Sequence, residues 1–265
     1  MQPENPKELH ARLRAPIFND LLKTWVGRGE LDYERYIRTE QLLELQSPPG
    51  ELVHSDELLF QITHQAQELW LKLAAHEAAE LVGELQHDRL WHACARLERM
   101  LRALRCLAQE IDVLATLTPA AYQTIRRSLG NGSGQESPGY NALRLAASAM
   151  IEALERLLQR RGLTLRAVYD ELDDTAADLR RLCEQYIDID GAFQGWLHAH
   201  FQLVRRTIGV DREVKALDGL PTKVLAGRMT LPLFPALWQV RVEMTASWKN
   251  GGGYAPGAAR DQEAA

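Results

Sequence analysis

Apolar residues recur at three- and four-residue intervals through most of this chain, and that period predicts helices. The longest run opens at Ser55-Asp56-Glu57. From there Leu58, Leu59, Ile62, Leu69, Trp70, Leu73, Ala74, Leu81, Val82 and Leu85 recur until His87-Asp88. Ser55 is the expected N-cap, with Asp56 and Glu57 in the first turn, where carboxylates complement the helix dipole. A second long helix is expected from about Asp88 to Leu114, with Leu90, Cys94, Leu97, Leu101, Leu104 and Leu107 turned inward and Arg and Glu alternating on the solvated face. Shorter patterns place helices at Phe18–Val26 and Tyr33–Leu45, the latter stopped by Ser47-Pro48-Pro49-Gly50. Thr118-Pro119 starts another, from Ala120 to Leu129, with Thr capping and Pro at the first helical position. Beyond the polar loop Gly130–Gly134, helices are expected at Gly139–Arg161, Leu165–Ile187, Ala192–Ile208, Lys223–Ala226 and Leu233–Val242, with Val210–Pro221 irregular.

No stretch alternates with the period of two that a half-buried strand requires, and no internal repeat is visible. The expected architecture is all-α, a helical bundle with long central helices. Residues 1–30 read as a polar, Pro-marked arm, 31–245 as one domain, and 246–265 as a disordered tail.

Composition narrows the function. The chain has 265 residues, 46% of them hydrophobic, and a formal net charge of -5. That apolar share supports a sizeable core, and the acidic balance argues against a nucleic-acid binder. No run approaches the roughly 18 apolar residues of a membrane span, and the arm has no apolar signal segment, so no membrane association is expected. Cys94, Cys106 and Cys183 are odd in number and widely spaced, which suits reduced thiols in a cytoplasm rather than a disulfide framework or a Cys-based zinc site.

Of the eight histidines, His10, His54, His76, His87 and His92 read as surface or local-turn residues. His64 lies four residues after Phe60, so imidazole and phenyl ring share a helix face. That spacing suits a satisfied core histidine as well as a site. His198 and His200, two apart, point about 200° from each other on a helix and cannot chelate one metal from one face. One of them suffices as the axial ligand of a heme, which needs a single imidazole. Tyr122 and Arg126 form a second pair at four-residue spacing: either a surface Arg stacked on a Tyr, or a guanidinium ready for a substrate carboxylate.

Several segments, in order, resemble one family. Asp56-Glu57-Leu58-Leu59-Phe60-Gln61-Ile62-Thr63-His64-Gln65, continuing through Glu68-Leu69-Trp70-Leu71-Lys72, is similar to the DE-x-LFII-x-HQ-x-x-ELW-x-K helix of tryptophan 2,3-dioxygenases. Tyr33–Leu43 resembles the family's Y-x-x-Y-L-x-L-x-x-LL element, and Leu117-Thr118-Pro119 with Tyr122–Leu129 its LTP…Y-x-x-FR-x-x-L helix. Phe193-Gln194-Gly195-Trp196 through His200, ending Ile208-Gly209, is similar to FQ-x-W-x-x-x-H…IG, and Leu233–Trp238 resembles its FFPEL element.

The resemblance implies an all-α homotetramer with heme b in each subunit and O2 as co-substrate. It makes His200 the proximal heme-iron ligand and His64 the distal histidine facing the substrate indole. Phe60 would pack beside that indole, Tyr122 would line the pocket, and Arg126 would hold the carboxylate of a tryptophan-like amino acid. Tyr33, Tyr36 and Ile37 would reach into a neighbouring subunit's pocket. The implied reaction inserts O2 across the indole C2–C3 bond, giving an N-formylkynurenine-type product.

Three departures bear on the substrate. The family's GTGGSSG loop is replaced by Arg212–Thr222, its SGFQS loop reads Ser133-Gly134-Gln135-Glu136-Ser137, and the helical segment before His200 is shorter. These changes alter the substrate enclosure and leave the heme-facing residues in place. The alternatives they raise are monooxygenation of a modified, for example β-substituted, tryptophan to an oxindole, and a non-catalytic heme-binding protein.

Overall fold

Why a few long helices carry this protein is visible in where its leucines go. A computed structural model describes residues 31–169, 176–223, 227 and 231–247. The expected helix at 18–26, His10 and residues 248–265 of the tail lie outside the described residues, as do residues 224–226 of the helix expected at Lys223–Ala226. Ala246 and Ser247, expected in a disordered tail, are instead helical. The chain divides into two compact units, residues 1–51 and 52–265.

In the first unit, α1 (Asp32–Ile37) and α2 (Thr39–Leu43) replace the single helix expected over Tyr33–Leu45. Arg38 between them adopts the left-handed conformation, φ 60°. Neither helix buries a residue, so only weak local propensity opposes that break.

The second unit holds α3 (Glu57–Gln86), α4 (Leu90–Leu114), α5 (Pro119–Arg126), α6 (Pro138–Arg160), α7 (Leu165–Val168), α8 (Ala177–Thr207) and α9 (Pro235–Ser247). The all-α expectation holds. Among the described residues the one extended pairing is an isolated bridge, Lys215 to Pro221, and no helix is long and apolar enough to cross a membrane. α3 packs on both α4 and α6, and α4 packs on α8. Side chains join α6 to α8: the Tyr186 hydroxyl donates to the Met150 carbonyl at 3.2 Å, and the rings of Tyr140 and Phe193 stack at 5.9 Å.

The inward stripe of α4 is the expected one, with Leu97, Leu101, Leu104 and Leu107 all buried. On α3 the buried line is Leu71, Ala74, Ala78, Leu81 and Leu85, while Ile62 and Leu69 face outward, 48% and 54% exposed. A 30-residue helix drifts relative to any fixed spacing, so its two halves turn different faces inward.

Helix ends follow local chemistry. The Thr118 hydroxyl accepts from Ala121 N at 3.1 Å, with Pro119 at the first position, as expected. Ser55 is not the α3 cap. Asp56 holds that position without a side-chain bond, and the Glu57 carboxylate reaches back to Val53 N at 2.7 Å.

The two helices expected over 165–187 and 192–208 are instead a short α7 and one continuous α8. Glycine inside a helix costs about 1 kcal/mol relative to alanine. At Gly191 that cost is outweighed by Ile189, Asp190 and Phe193, all fully buried around it. Asp190 also secures α9: its carboxylate accepts from Leu233 N, Phe234 N and Trp238 Nε1 at 3.0, 3.0 and 2.8 Å.

Candidate active site

α3, the end of α4, α5, α6, α8 and the loops between them line a largely apolar cavity of about 500 Å³. Its walls include Leu114, Leu117, Leu129, Phe201 and Val204. Phe60, His64, Tyr122, Arg126 and His200, far apart in sequence, all line it.

Phe60 and His64 share one face of α3, their ring centroids 4.1 Å apart, and Phe60 lies 6.2 Å from the Tyr122 ring. His64 Nδ1 lies 2.7 Å from the Phe60 carbonyl oxygen. A carbonyl oxygen can only accept, so Nδ1 carries the proton. Burial holds the His64 pKa below its usual value, opposed by that backbone bond and by Glu68, so the ring is neutral and Nε2 remains an acceptor.

His200 comes to the same cavity from the last two turns of α8. Burial, reinforced by repulsion from His64, lowers its pKa to about 4. A neutral imidazole in apolar surroundings is the form that ligates a metal. His198 is exposed, with its Nε2 3.4 Å from Gln202 Nε2. The two histidines thus point apart, as helical geometry requires.

Arg126 sits in the last turn of α5, and its Nη2 donates to the Lys215 carbonyl at 2.7 Å. Tyr122, one turn earlier, has its hydroxyl pKa raised by burial, an effect lessened by Arg126. Its phenol therefore stays protonated, able to donate as well as accept. Tyr33, Tyr36 and Ile37 belong to the first unit, where they expose 69%, 87% and 42% of their surface.

Periodicity missed several cavity residues. Glu68 accepts from the Ser137 hydroxyl and from Gly139 N (the latter at 2.9 Å), tying the Ser133–Ser137 loop and the start of α6 to α3. Gly139 has to be glycine: a Cβ there would meet Leu71 Cβ at 2.6 Å. Val210–Pro221, expected to be irregular, contains no regular element beyond one isolated bridge, but residues 214–222 close into a small hairpin. Thr222 N donates to Val214 O and Ala216 N to Leu220 O, with Ala216 and Leu217 against the cavity. Long-range partners of this kind leave no periodic trace; the Gly and Ser content of 130–139, read only as a polar loop, is the signal that could have pointed to a close approach.

The donor set fits a heme. Among the described residues no group of three or more His, Cys, Asp and Glu could hold a metal by itself, whereas a porphyrin brings four nitrogens and asks the protein for one. His200 supplies one imidazole in an apolar wall. Gly134 leaves the space beside it clear, since a Cβ there would stand 3.8 Å from Nε2. Fold and cavity define an all-α protein with two histidines, a tyrosine and an arginine gathered around one largely apolar cavity.

Comparison with known proteins gives the family. The family model for tryptophan 2,3-dioxygenase matches residues 22–148. The tryptophan 2,3-dioxygenase of Saccharopolyspora erythraea is 33% identical, the match covering 86% of this chain and 98% of that protein. Those of Xanthomonas oryzae pv. oryzae and Xanthomonas campestris pv. campestris are each 32% identical over 82% of this chain, covering 89% and 88% of their own lengths. The chain belongs to the tryptophan 2,3-dioxygenase family and is a heme-dependent oxygenase.

Proposed function

We propose that this enzyme oxygenates the indole ring of L-tryptophan or a close derivative, inserting O2 across C2–C3 to give an N-formylkynurenine-type product. One observation carries the reading: a neutral metal-competent imidazole, a second imidazole with a free acceptor nitrogen, and a guanidinium all line one apolar cavity.

His200 Nε2 would hold the iron of heme b. When bound, heme supplies the redox centre at which O2 becomes reactive. The other roles fall to side chains. His64 Nε2 accepts the indole N–H, which fixes the ring's rotation and places its reacting edge. Phe60 packs against the indole and helps exclude water. Arg126 pairs with the α-carboxylate, and the Tyr122 hydroxyl lines the same end. An arginine with its planar fork orients a carboxylate better than a lysine does.

Tyr33, Tyr36 and Ile37, left exposed within one chain, suit burial in a neighbouring subunit of a homotetramer, where they would complete that subunit's pocket. The three cysteines, all free, fit a cytoplasmic setting.

A second reading has a specific basis: the 214–222 hairpin and the Ser133–Ser137 loop differ from the family's pattern at the substrate's amino end and Cβ. A changed enclosure there suits a modified tryptophan, and the matching outcome is transfer of a single oxygen to an oxindole, the second oxygen atom leaving as water with two electrons drawn from an added external reductant. The test supplies reduced, heme-loaded protein with L-tryptophan, or a β-substituted analogue, under 18O2. Two labelled oxygens in the product support dioxygenation, and one supports the oxindole reading. Tight heme binding with no product from either substrate defeats both. Purified protein without a Soret band defeats the heme assignment.

A further inference from the structure

The hairpin at 214–222 touches the cavity's polar end at two points, one at its base and one at its tip. At the base, the Lys215 carbonyl accepts a hydrogen bond from Arg126 Nη2 at 2.7 Å. At the tip, Asp218 Oδ2 accepts from the Ser133 hydroxyl at 2.9 Å, while its Oδ1 accepts from Leu220 N at 3.0 Å and shapes the turn. Gly219, at φ 84°, supplies the left-handed residue that this turn requires. The other end of the hairpin is fixed by Thr222, fully buried, whose hydroxyl bonds the backbone of Asp211 in both directions, at 3.1 and 3.2 Å. The segment is thus anchored at its base, folded on itself, and bonded to both neighbouring cavity walls.

We propose that this hairpin is a preformed wall of the carboxylate subsite, in which Asp218 is a positioning residue. The Asp218–Ser133 bond holds the hairpin over the cavity, and the Lys215 carbonyl then aims the Arg126 guanidinium. One of the five guanidinium N–H groups is committed to Lys215. A fork held by one corner presents a defined edge, and a carboxylate needs two parallel N–H groups at a fixed angle. Without the hairpin the arginine would have to order itself on binding, at a cost in side-chain entropy. The hairpin therefore discriminates by carboxylate: its contribution is felt by an indole ligand that bears one and not by a ligand that lacks it. This inference rests on Arg126 being the carboxylate partner.

The experiment measures binding of L-tryptophan and of tryptamine, which lacks the carboxylate, to the holoenzyme through the shift each causes in the Soret band. Wild type, Asp218→Ala, Ser133→Ala, the double variant and Asp218→Asn are compared. Loss of one hydrogen bond of ordinary net worth corresponds to about a fivefold change in affinity. Asp218→Ala is expected to weaken L-tryptophan by about that factor and leave tryptamine unchanged. Ser133→Ala, which also removes the acceptor of Gln135 N, should weaken L-tryptophan too, and the double variant should fall short of the sum of the two, because the Asp218–Ser133 bond is lost in each. Asp218→Asn, which keeps an acceptor oxygen, should recover most of the loss.

Equal weakening of both ligands, or additive effects in the double variant, overturns the proposal, since a purely structural role gives that pattern. No change in either ligand overturns it as well. Wild-type protein that binds tryptamine as well as L-tryptophan refutes the carboxylate role of Arg126, and the inference falls with it.

Discussion

Replacing Asp190 with alanine should detach α9 from the bundle. The carboxylate is fully buried and accepts four hydrogen bonds, three from Leu233 N, Phe234 N and Trp238 Nε1 and a fourth from Gln194 Nε2 at 2.8 Å. Alanine leaves the two backbone N–H groups at the start of α9 without an acceptor, and each buried unpaired donor costs about 1–3 kcal/mol. Trp238 and Gln194 are only partly buried and can turn to water. The variant also recovers part of the cost of burying a carboxylate. The balance is a loss of about 3–5 kcal/mol. For a chain of this size that lowers Tm by roughly 10 °C or more.

The assay is thermal unfolding at matched heme occupancy, together with hydrogen exchange at Leu233 and Phe234. Exchange at those two amides should rise more than in α4, because the bond that protects them is the one removed. Asp190→Asn retains one acceptor oxygen but turns an N–H2 group toward donors, so it should restore less than half the stability. A Tm within about 2 °C of wild type for Asp190→Ala would show that the carboxylate's bonds do not hold α9.

Gly139→Ala forces a Cβ to 2.6 Å from Leu71 Cβ and 2.7 Å from Glu68 Oε2, so it should cost about 1–3 kcal/mol in a denaturant titration. Gly83→Ala, with nothing within 4 Å, should instead be neutral or stabilising by up to about 1 kcal/mol. Gly134→Val places a branched side chain beside His200 Nε2 and should weaken heme uptake about tenfold or more, read as Soret absorbance on titration, while the apoprotein's Tm stays unchanged. The Cys183 thiol is buried and its pKa is pushed up to about 12, chiefly by that burial. A raised thiol pKa means scarce thiolate below that pH, so Cys183 should resist alkylation at pH 8 and react only once the protein unfolds. Rapid labelling of Cys183 in folded protein contradicts its placement.

Much of this architecture is legible in the linear pattern, and the reason is locality. Helical spacing, the Thr118-Pro119 start and the paired faces Phe60–His64 and Tyr122–Arg126 each depend on residues within one or two turns, which the chain order displays directly. The resemblance to a known family added what locality cannot: that His200, rather than its neighbour His198, belongs with His64. Readings failed where a distant partner decided the outcome. Two helices are expected, one on either side of 188–191, and the buried side chains around Gly191 carry α8 straight through. Val210–Pro221 reads as irregular, yet residues 214–222 close into a small hairpin bonded to Arg126 and Ser133, 89 and 85 residues away.

By itself, then, the sequence determined the helical class, the inward stripe of α4 and the inventory of reactive side chains, because periodicity and side-chain chemistry are properties of short stretches. Only the tertiary structure decided which of those side chains share a cavity, which glycines mark close approach, and how the Arg126 guanidinium is aimed. Those outcomes depend on helices meeting across the bundle, where burial lowers the pKa of His64 and His200, and on backbone carbonyls such as that of Lys215, which are the same in every residue and carry no sequence signal until the fold puts one beside its donor.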